Sequence, residues 1–185
     1  MAGHLGLVGG LCVGVDERQV QKVQPMPNNL IIRPATVADA AALTRLNLLF
    51  NGSSNPAEVM AQRLADPRQV ESALLAEIGG EIVGFAGLRL IPSLFYPETL
   101  AELTELFVEE AYRRQGVGRA LIAVVEQKAI ERGASELLVL TDSDNQEAQA
   151  LYYSLGYGAY ADEPLALHKN LAATPTSEQS FRQDV

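Results

Sequence analysis

Cysteine and histidine are scarce: Cys12 is the only cysteine, and His4 and His168 are the only histidines in 185 residues. One cysteine excludes an internal disulfide and any cysteine-based metal site, and two histidines argue against a histidine-metal centre. The chain is therefore expected to work in a reducing compartment, the cytoplasm, without a metal. Basic residues are also outnumbered, 14 Lys and Arg against 23 Asp and Glu, for a net charge of -9. That balance excludes a general affinity for nucleic acid. It either keeps the chain dissolved or favours cationic partners, amines among them.

Long apolar runs are missing as well. No stretch approaches the roughly 20 residues needed to cross a bilayer, so no membrane partner is expected. Leu5 to Val15 is apolar and glycine-rich, yet it lacks the preceding Lys or Arg and the cleavage site of a secretory signal. Residues 1–29 read as a non-catalytic N-terminal extension, with docking on a partner chain as the alternative. They finish in the turn-rich Pro25-Met26-Pro27-Asn28-Asn29.

With 48% hydrophobic residues the chain suits one globular domain, expected over residues 30–171 and followed by a tail over 172–185. Leu30 to Arg33 is a short strand stopped by Pro34. Thr36 can cap the next helix with Asp39 in the capping-box place, and Ala40, Leu43, Leu46 and Leu49 form its apolar stripe. A second helix covers about Ala57 to Ala65. Ser72 to Ile78 and Glu81 to Leu90 are strands joined by Gly79-Gly80, a tight hairpin signal, and Gly84 and Gly87 suggest a bulge or a close backbone contact. In the loop from Pro92 to Pro97, Phe95 and Tyr96 either touch an acceptor or pack beneath the loop.

Leu103 to Ile122 organises the rest. It opens with a strand-like apolar run and, from Gly116, places Val117, Leu121, Val124 and Val125 at helical spacing. Between the two lies a basic, glycine-bearing turn. The first N–H groups of a helix lack intrahelical partners, and glycine lets a phosphate come close, so strand, turn and helix together predict a phosphate cradle. Arg119-Ala120 after the second glycine rules out a Walker loop, and Leu121 in place of a third glycine rules out a dinucleotide fingerprint.

The helix continues to Arg132 and ends at Gly133. Glu136 to Thr141 is a nearly continuous apolar run, expected as a strand buried on both faces. Asn145 to Leu155 forms a further helix, and a final strand centres on Leu165 to His168. The predicted order is β-α-α-β-β-β-α-β-α-β, a mixed α/β sheet flanked by helices.

Arg113-x-x-Gly116-x-Gly118 resembles the acyl-coenzyme A signature Gln/Arg-x-x-Gly-x-Gly/Ala of the GNAT superfamily of N-acetyltransferases. Further along, Asn145-x-x-Ala148-x-x-Leu151-Tyr152-x-x-Leu155-Gly156-Tyr157 is similar to that family's second motif at every defined place. The resemblance covers Leu30 to roughly Leu171. It implies the GNAT fold, in which the fourth and fifth strands part, and acetyl-coenzyme A as co-substrate. It implies that the backbone of Leu106, Phe107 and Val108 binds the pantetheine arm as an added strand, and that Arg113, Arg114, Gln115, Gly116, Val117, Gly118 and Arg119 hold the pyrophosphate. Arg114 and Arg119 alternatively serve as ordinary surface charges.

Asn145 is an N-cap that in the family also contacts the cofactor, beside Ala148. Tyr152 takes the family's role of general acid toward the departing thiolate, or is a core tyrosine. The base candidates are Glu102, which alternates with Thr104, Leu106 and Val108 on one strand face, and Glu105, which points opposite unless a bulge near Phe107 reverses the parity. Each is alternatively a solvated strand-end carboxylate. Backbone N–H groups can polarise the thioester, and no acyl-enzyme is needed, which leaves Cys12 without a role. The implied function is acetyl transfer to the primary amine of a small polyamine- or aminoglycoside-like acceptor by direct attack. The alternatives are a protein lysine or N-terminal acetyltransferase and a non-catalytic acyl-coenzyme A sensor. Nothing in the sequence opposes a homodimer.

Overall fold

The structure is a computed structural model that describes Pro27 and residues 29–159. The N-terminal extension, the strand expected at Leu165 to His168 and the tail lie outside the described residues, as do Cys12 and both histidines. Two compact units divide the chain, one ending at Leu140 and one beginning at Thr141.

Gly79 and Gly80 take φ of 61° and 89°, the left-handed pair that a two-residue hairpin needs. They join β2 (Glu71–Ile78) to β3 (Glu81–Pro92), with Ile78 opposite Glu81. β1 (Leu30–Pro34) and β4 (Thr99–Val108) flank the hairpin as antiparallel neighbours. β5 (Leu137–Val139) runs parallel to β4 and completes a sheet of order β1-β2-β3-β4-β5. The parallel pair requires a crossover, which α3 (Val117–Glu131) supplies. Gly133, with φ of 80°, ends that helix as expected, and the Ala134 N–H reaches back to the Ala129 carbonyl at 3.0 Å.

One sheet face carries α1 (Ala40–Asn51) and α2 (Ala57–Ala65). Leu43 and Leu46 bury against Leu75, Phe85 and Phe107, with Met60 and Leu64 of α2 packed beside them. Phe50 closes the group, its ring 5.4 Å from that of Phe107. The other face, which presents Leu74 and Leu88, carries α3 through its buried Val117, Leu121, Ile122 and Val125.

Two expectations need correction. Leu49 leaves the apolar stripe and is 58% exposed. A step of three residues falls about 60° short of a full helical turn, so a series begun at Ala40 drifts round the helix until Leu49 lies about half a turn away. The apolar run from Glu136 to Thr141 forms a strand only at Leu137–Val139, and Leu140 is 74% exposed. Among the described residues β5 is the outermost strand of the sheet.

Asp39 ties the start of α1 to β1. Its carboxylate accepts from two Arg33 nitrogens at 2.9 and 2.8 Å, from the Thr36 N–H at 2.7 Å and from the Thr36 hydroxyl at 2.8 Å. The Arg33 hydrogen bonds, assisted by those from Thr36, hold its carboxyl well below the usual carboxylate range. A depressed folded value means that this stability is fully present above the unfolded pKa and is lost as pH falls toward the folded one. Asp39→Ala is expected to cost about 1–2 kcal/mol at neutral pH. The gap from the wild type should narrow only below about pH 4, as urea unfolding at several pH values would measure.

Candidate active site

β5 pairs with β4 only at Ala101, Glu102 and Leu103. Past that point the outer edge of β4 has no strand beside it among the described residues. The Glu109 N–H donates to the Val83 carbonyl at 2.9 Å, which turns the N–H and C=O of Phe107 toward β3. Those of Leu106 and Val108 consequently face the open edge.

At the same point β4 holds one residue more than β3. The register passes from Gly87 opposite Glu105 to Leu88 opposite Leu103, and Thr104 is the extra residue. The bulge reverses the alternation. Glu102 opposite Arg89, Glu105 opposite Gly87 and Phe107 opposite Phe85 all share the face covered by α1 and α2, whereas Leu106 passes to the α3 face. Plain alternation separates the two glutamates; the bulge, at Thr104 rather than near Phe107, unites them.

Their surroundings then distinguish them. Arg89 bonds the Glu102 carboxylate at 2.7 Å. Burial pushes the Glu105 carboxyl up, the negative charge of Glu71 raises it further, and a hydrogen bond from Asn51 opposes both. The amide of Asn51 is itself oriented by donation to Asn47 Oδ1 at 2.8 Å. The Thr104 hydroxyl donates to Glu71, in space that any side chain at Gly87 would fill. At Gly84 an added Cβ would stand 2.6 Å from the Phe107 carbonyl oxygen, so the close backbone approach expected of that glycine is present. No set of three or more His, Cys, Asp or Glu among the described residues could hold a metal ion.

Beyond β4 the chain makes a single 3-10 turn over Glu110–Tyr112, and Arg114 takes φ of 61°. Gly116, at φ 83°, caps α3. The first intrahelical bond is Ala120 N–H to the Gly116 carbonyl at 3.0 Å, so the N–H groups of Val117, Gly118 and Arg119 have no acceptor within the helix. Glycine at the cap has no side chain to offer them. The Val117 side chain is buried and anchors the turn, while Arg114 and Arg119 are exposed. The Gln115 amide bonds the Ala111 carbonyl at 2.9 Å. Arg113 turns back on β4: its Nε donates to the Val108 carbonyl at 2.9 Å and its guanidinium lies 5.9 Å from the Phe107 ring centroid.

In the second unit Asn145 caps α4 (Gln146–Ser154), its side chain accepting from the Ala148 N–H at 3.1 Å. Tyr152 is 8% exposed and packs on Tyr157 with ring centroids 5.6 Å apart, whereas Tyr153 is 60% exposed. Burial raises the Tyr152 hydroxyl above the ordinary phenol range, which keeps it protonated at neutral pH. In the β3–β4 loop, Phe95 and Tyr96 stand exposed, with their N–H groups bonded to Ser93 Oγ, and do not pack beneath it.

Glu71, Arg89, Thr104 and Asn51 escaped the sequence reading. The one available signal was Gly87, because a glycine inside a strand marks a place where neighbours come close.

Residues 41–157 match the family described as "Acetyltransferase (GNAT) family". An aminoglycoside N(6')-acetyltransferase type 1 of Stenotrophomonas maltophilia is 34% identical over 132 residues, 68% of this chain and 84% of that protein. The enzyme of the same name from Klebsiella aerogenes is 30% identical over 71% of this chain and 91% of its own length. Human N-acetyltransferase 8 is 35% identical, but over only 45% of this chain and 37% of that protein. Among solved structures, an aminoglycoside acetyltransferase from an uncultured soil metagenomic sample, in complex with trehalose, superimposes with a TM-score of 0.67 at 23% identity, covering 78% of this chain and 97% of that one. A match that spans both motifs and a relative 34% identical over most of its length agree: this chain is an N-acetyltransferase of the GNAT family.

Proposed function

We propose that this enzyme transfers an acetyl group from acetyl-coenzyme A to a primary amine of a small, polycationic acceptor, aminoglycoside- or polyamine-like, with residues 30–171 as the catalytic domain. The observation that carries the reading is the coincidence at Thr104. There β4 loses β5, bulges, and presents Glu105 on one side while its open edge begins on the other.

The chain's own groups suit an acyl-coenzyme A. Leu106 and Val108 offer backbone groups to which an extended amide-bearing arm can add as a strand. Arg113 already bonds the Val108 carbonyl, so that edge is held in place from the turn. The N–H groups of Val117 and Gly118, at the positive end of α3 and without an acceptor inside the helix, suit a diphosphate. When bound, acetyl-coenzyme A supplies an activated acetyl thioester.

An acceptor amine with a pKa near that of Lys is almost wholly protonated at pH 7 and must be neutral to attack. Glu105 takes that proton. Burial and the charge of Glu71 raise its proton affinity, while the Glu102 carboxylate is engaged by Arg89. Tyr152, neutral and buried, returns a proton to the departing thiolate, and Asn145 holds the start of its helix. The acidic balance of the chain and the aminoglycoside enzymes among its relatives support a polycationic acceptor.

Four outcomes are expected. In a steady-state assay of thiol release, aminoglycosides or polyamines should be acetylated in preference to peptides; tight coenzyme A binding with no turnover on any of them would instead make the protein a sensor. Gly118→Val, with helix content checked by circular dichroism, should weaken coenzyme A binding at least about tenfold by calorimetry, because a branched side chain would stand over the first turn of α3. Glu105→Gln should lower kcat/KM by roughly 10²–10⁴ and abolish the acid limb of its pH profile. That limb lies above the pH at which an ordinary glutamate titrates, since Glu105 works only when deprotonated. Tyr152→Phe should reduce kcat more than cofactor affinity.

A further inference from the structure

Glu71 has no place in either family motif, yet its carboxylate occupies the space that Gly87 leaves open. A Cβ at residue 87 would stand 3.1 Å from Glu71 Oε1 and 3.4 Å from the Glu105 backbone nitrogen. The Thr104 hydroxyl crowds the same position and donates to that carboxylate oxygen. Three strands therefore meet at one vacancy. β2 brings a negative charge, β3 omits a side chain, and the bulge of β4 supplies the hydroxyl that holds the charge.

We propose that Glu71 is a positioning residue for Glu105: its carboxylate, fixed over Gly87 by Thr104, strengthens Glu105 as the base that deprotonates the acceptor ammonium. The proposal rests on the reading of Glu105 as that base. The step balances simply, because the ammonium loses one proton to the Glu105 carboxylate and leaves a neutral amine and a carboxylic acid. A glutamate near the surface of a sheet otherwise titrates too low to hold that proton well, and a like charge beside it raises its affinity.

The other groups on this face do not supply the effect. Arg89, from β3, bonds Glu102 at 2.7 Å. α1 presents the neutral amide of Asn51, whose hydrogen bond works in the opposite direction. α2 contributes the apolar Met60 and Leu64. Burial accounts for the larger share of the rise at Glu105 and the charge of Glu71 for the next. Thr104 thus links the bulge, which aims Glu105, to the charge that tunes it.

The test is a carboxyl-carbon NMR titration of Glu105 in the free enzyme, paired with kcat/KM against pH. In Glu71→Gln, which keeps an oxygen for Thr104 but removes the charge, the Glu105 midpoint should fall by roughly half to one pH unit. The acid limb of kcat/KM should move down by the same amount. Thr104→Val should give a smaller shift, and Thr104→Ser should restore the wild-type midpoint. A Glu105 midpoint unmoved in a folded Glu71→Gln, beside a Glu105→Gln enzyme that has lost activity, overturns the role of Glu71 alone. A Glu105→Gln enzyme with an unchanged pH profile overturns the base itself, and the proposal with it.

Discussion

A strand cannot leave its backbone N–H and C=O groups without partners in a buried place, and β4 meets that demand on one side only. β3 pairs along its whole length, while β5 accompanies it for three residues and stops. Among the described residues the remaining edge, at Leu106 and Val108, has no strand beside it, and it ends at the turn that starts α3. Other features of the first unit follow from it. α3 must cross over to return β5 to that side, its N-terminus therefore faces the end of β4, and the Arg113 bond to Val108 links the turn to the strand.

The bulge at Thr104 adds direction to that edge. A regular β4 would send Glu102 and Glu105 to opposite faces, one under α1 and one under α3. The single extra residue puts both beneath α1 and α2, and their neighbours then separate two chemically identical side chains. Glu102 is neutralised by Arg89 across the strand pair, whereas Glu105 is half-buried near another carboxylate. Pairing, not residue type, decides which glutamate meets an arginine and which lies near a carboxylate. Gly87 makes the arrangement sterically feasible, since any side chain there would displace both Thr104 and Glu71.

The head of α3 differs from the 3-10 turn that leads into α1. In that turn, Asp39 accepts from the Thr36 N–H and hydroxyl and gains stability from them. At α3, Gly116 brings no side chain to the first N–H groups, at a cost of the order of a helix cap, about 1 kcal/mol. Val117, buried beneath the turn, offsets that cost with apolar contact. In the second unit Asn145 caps α4 in the ordinary way, and Tyr152 is buried where its neighbour Tyr153 is exposed, so the motif also makes structural sense within its own helix.

Local chemistry was legible in the sequence. The left-handed glycines of the hairpin, the caps at Thr36, Asn145 and Gly133, the span of α2 and the strand-turn-helix around Gly116 all depend on residues close together in the chain, and they stand where the sequence puts them. What depended on partners far along the chain was not legible: the exposure of Leu49, the brevity of β5, the place of the bulge, and the meeting of Glu71, Thr104 and Glu105. Alternation along one strand states only which side chains share a face if the strand is regular. The extra residue in β4 exists only relative to β3, so no property of residues 99–108 taken alone reveals it. By itself the sequence determined the family and the start of α3 at Gly116, because spacing and glycine conformation suffice for those. Only the tertiary structure decided what surrounds each glutamate, because proton affinity is set by neighbours that pairing across three strands brings within reach.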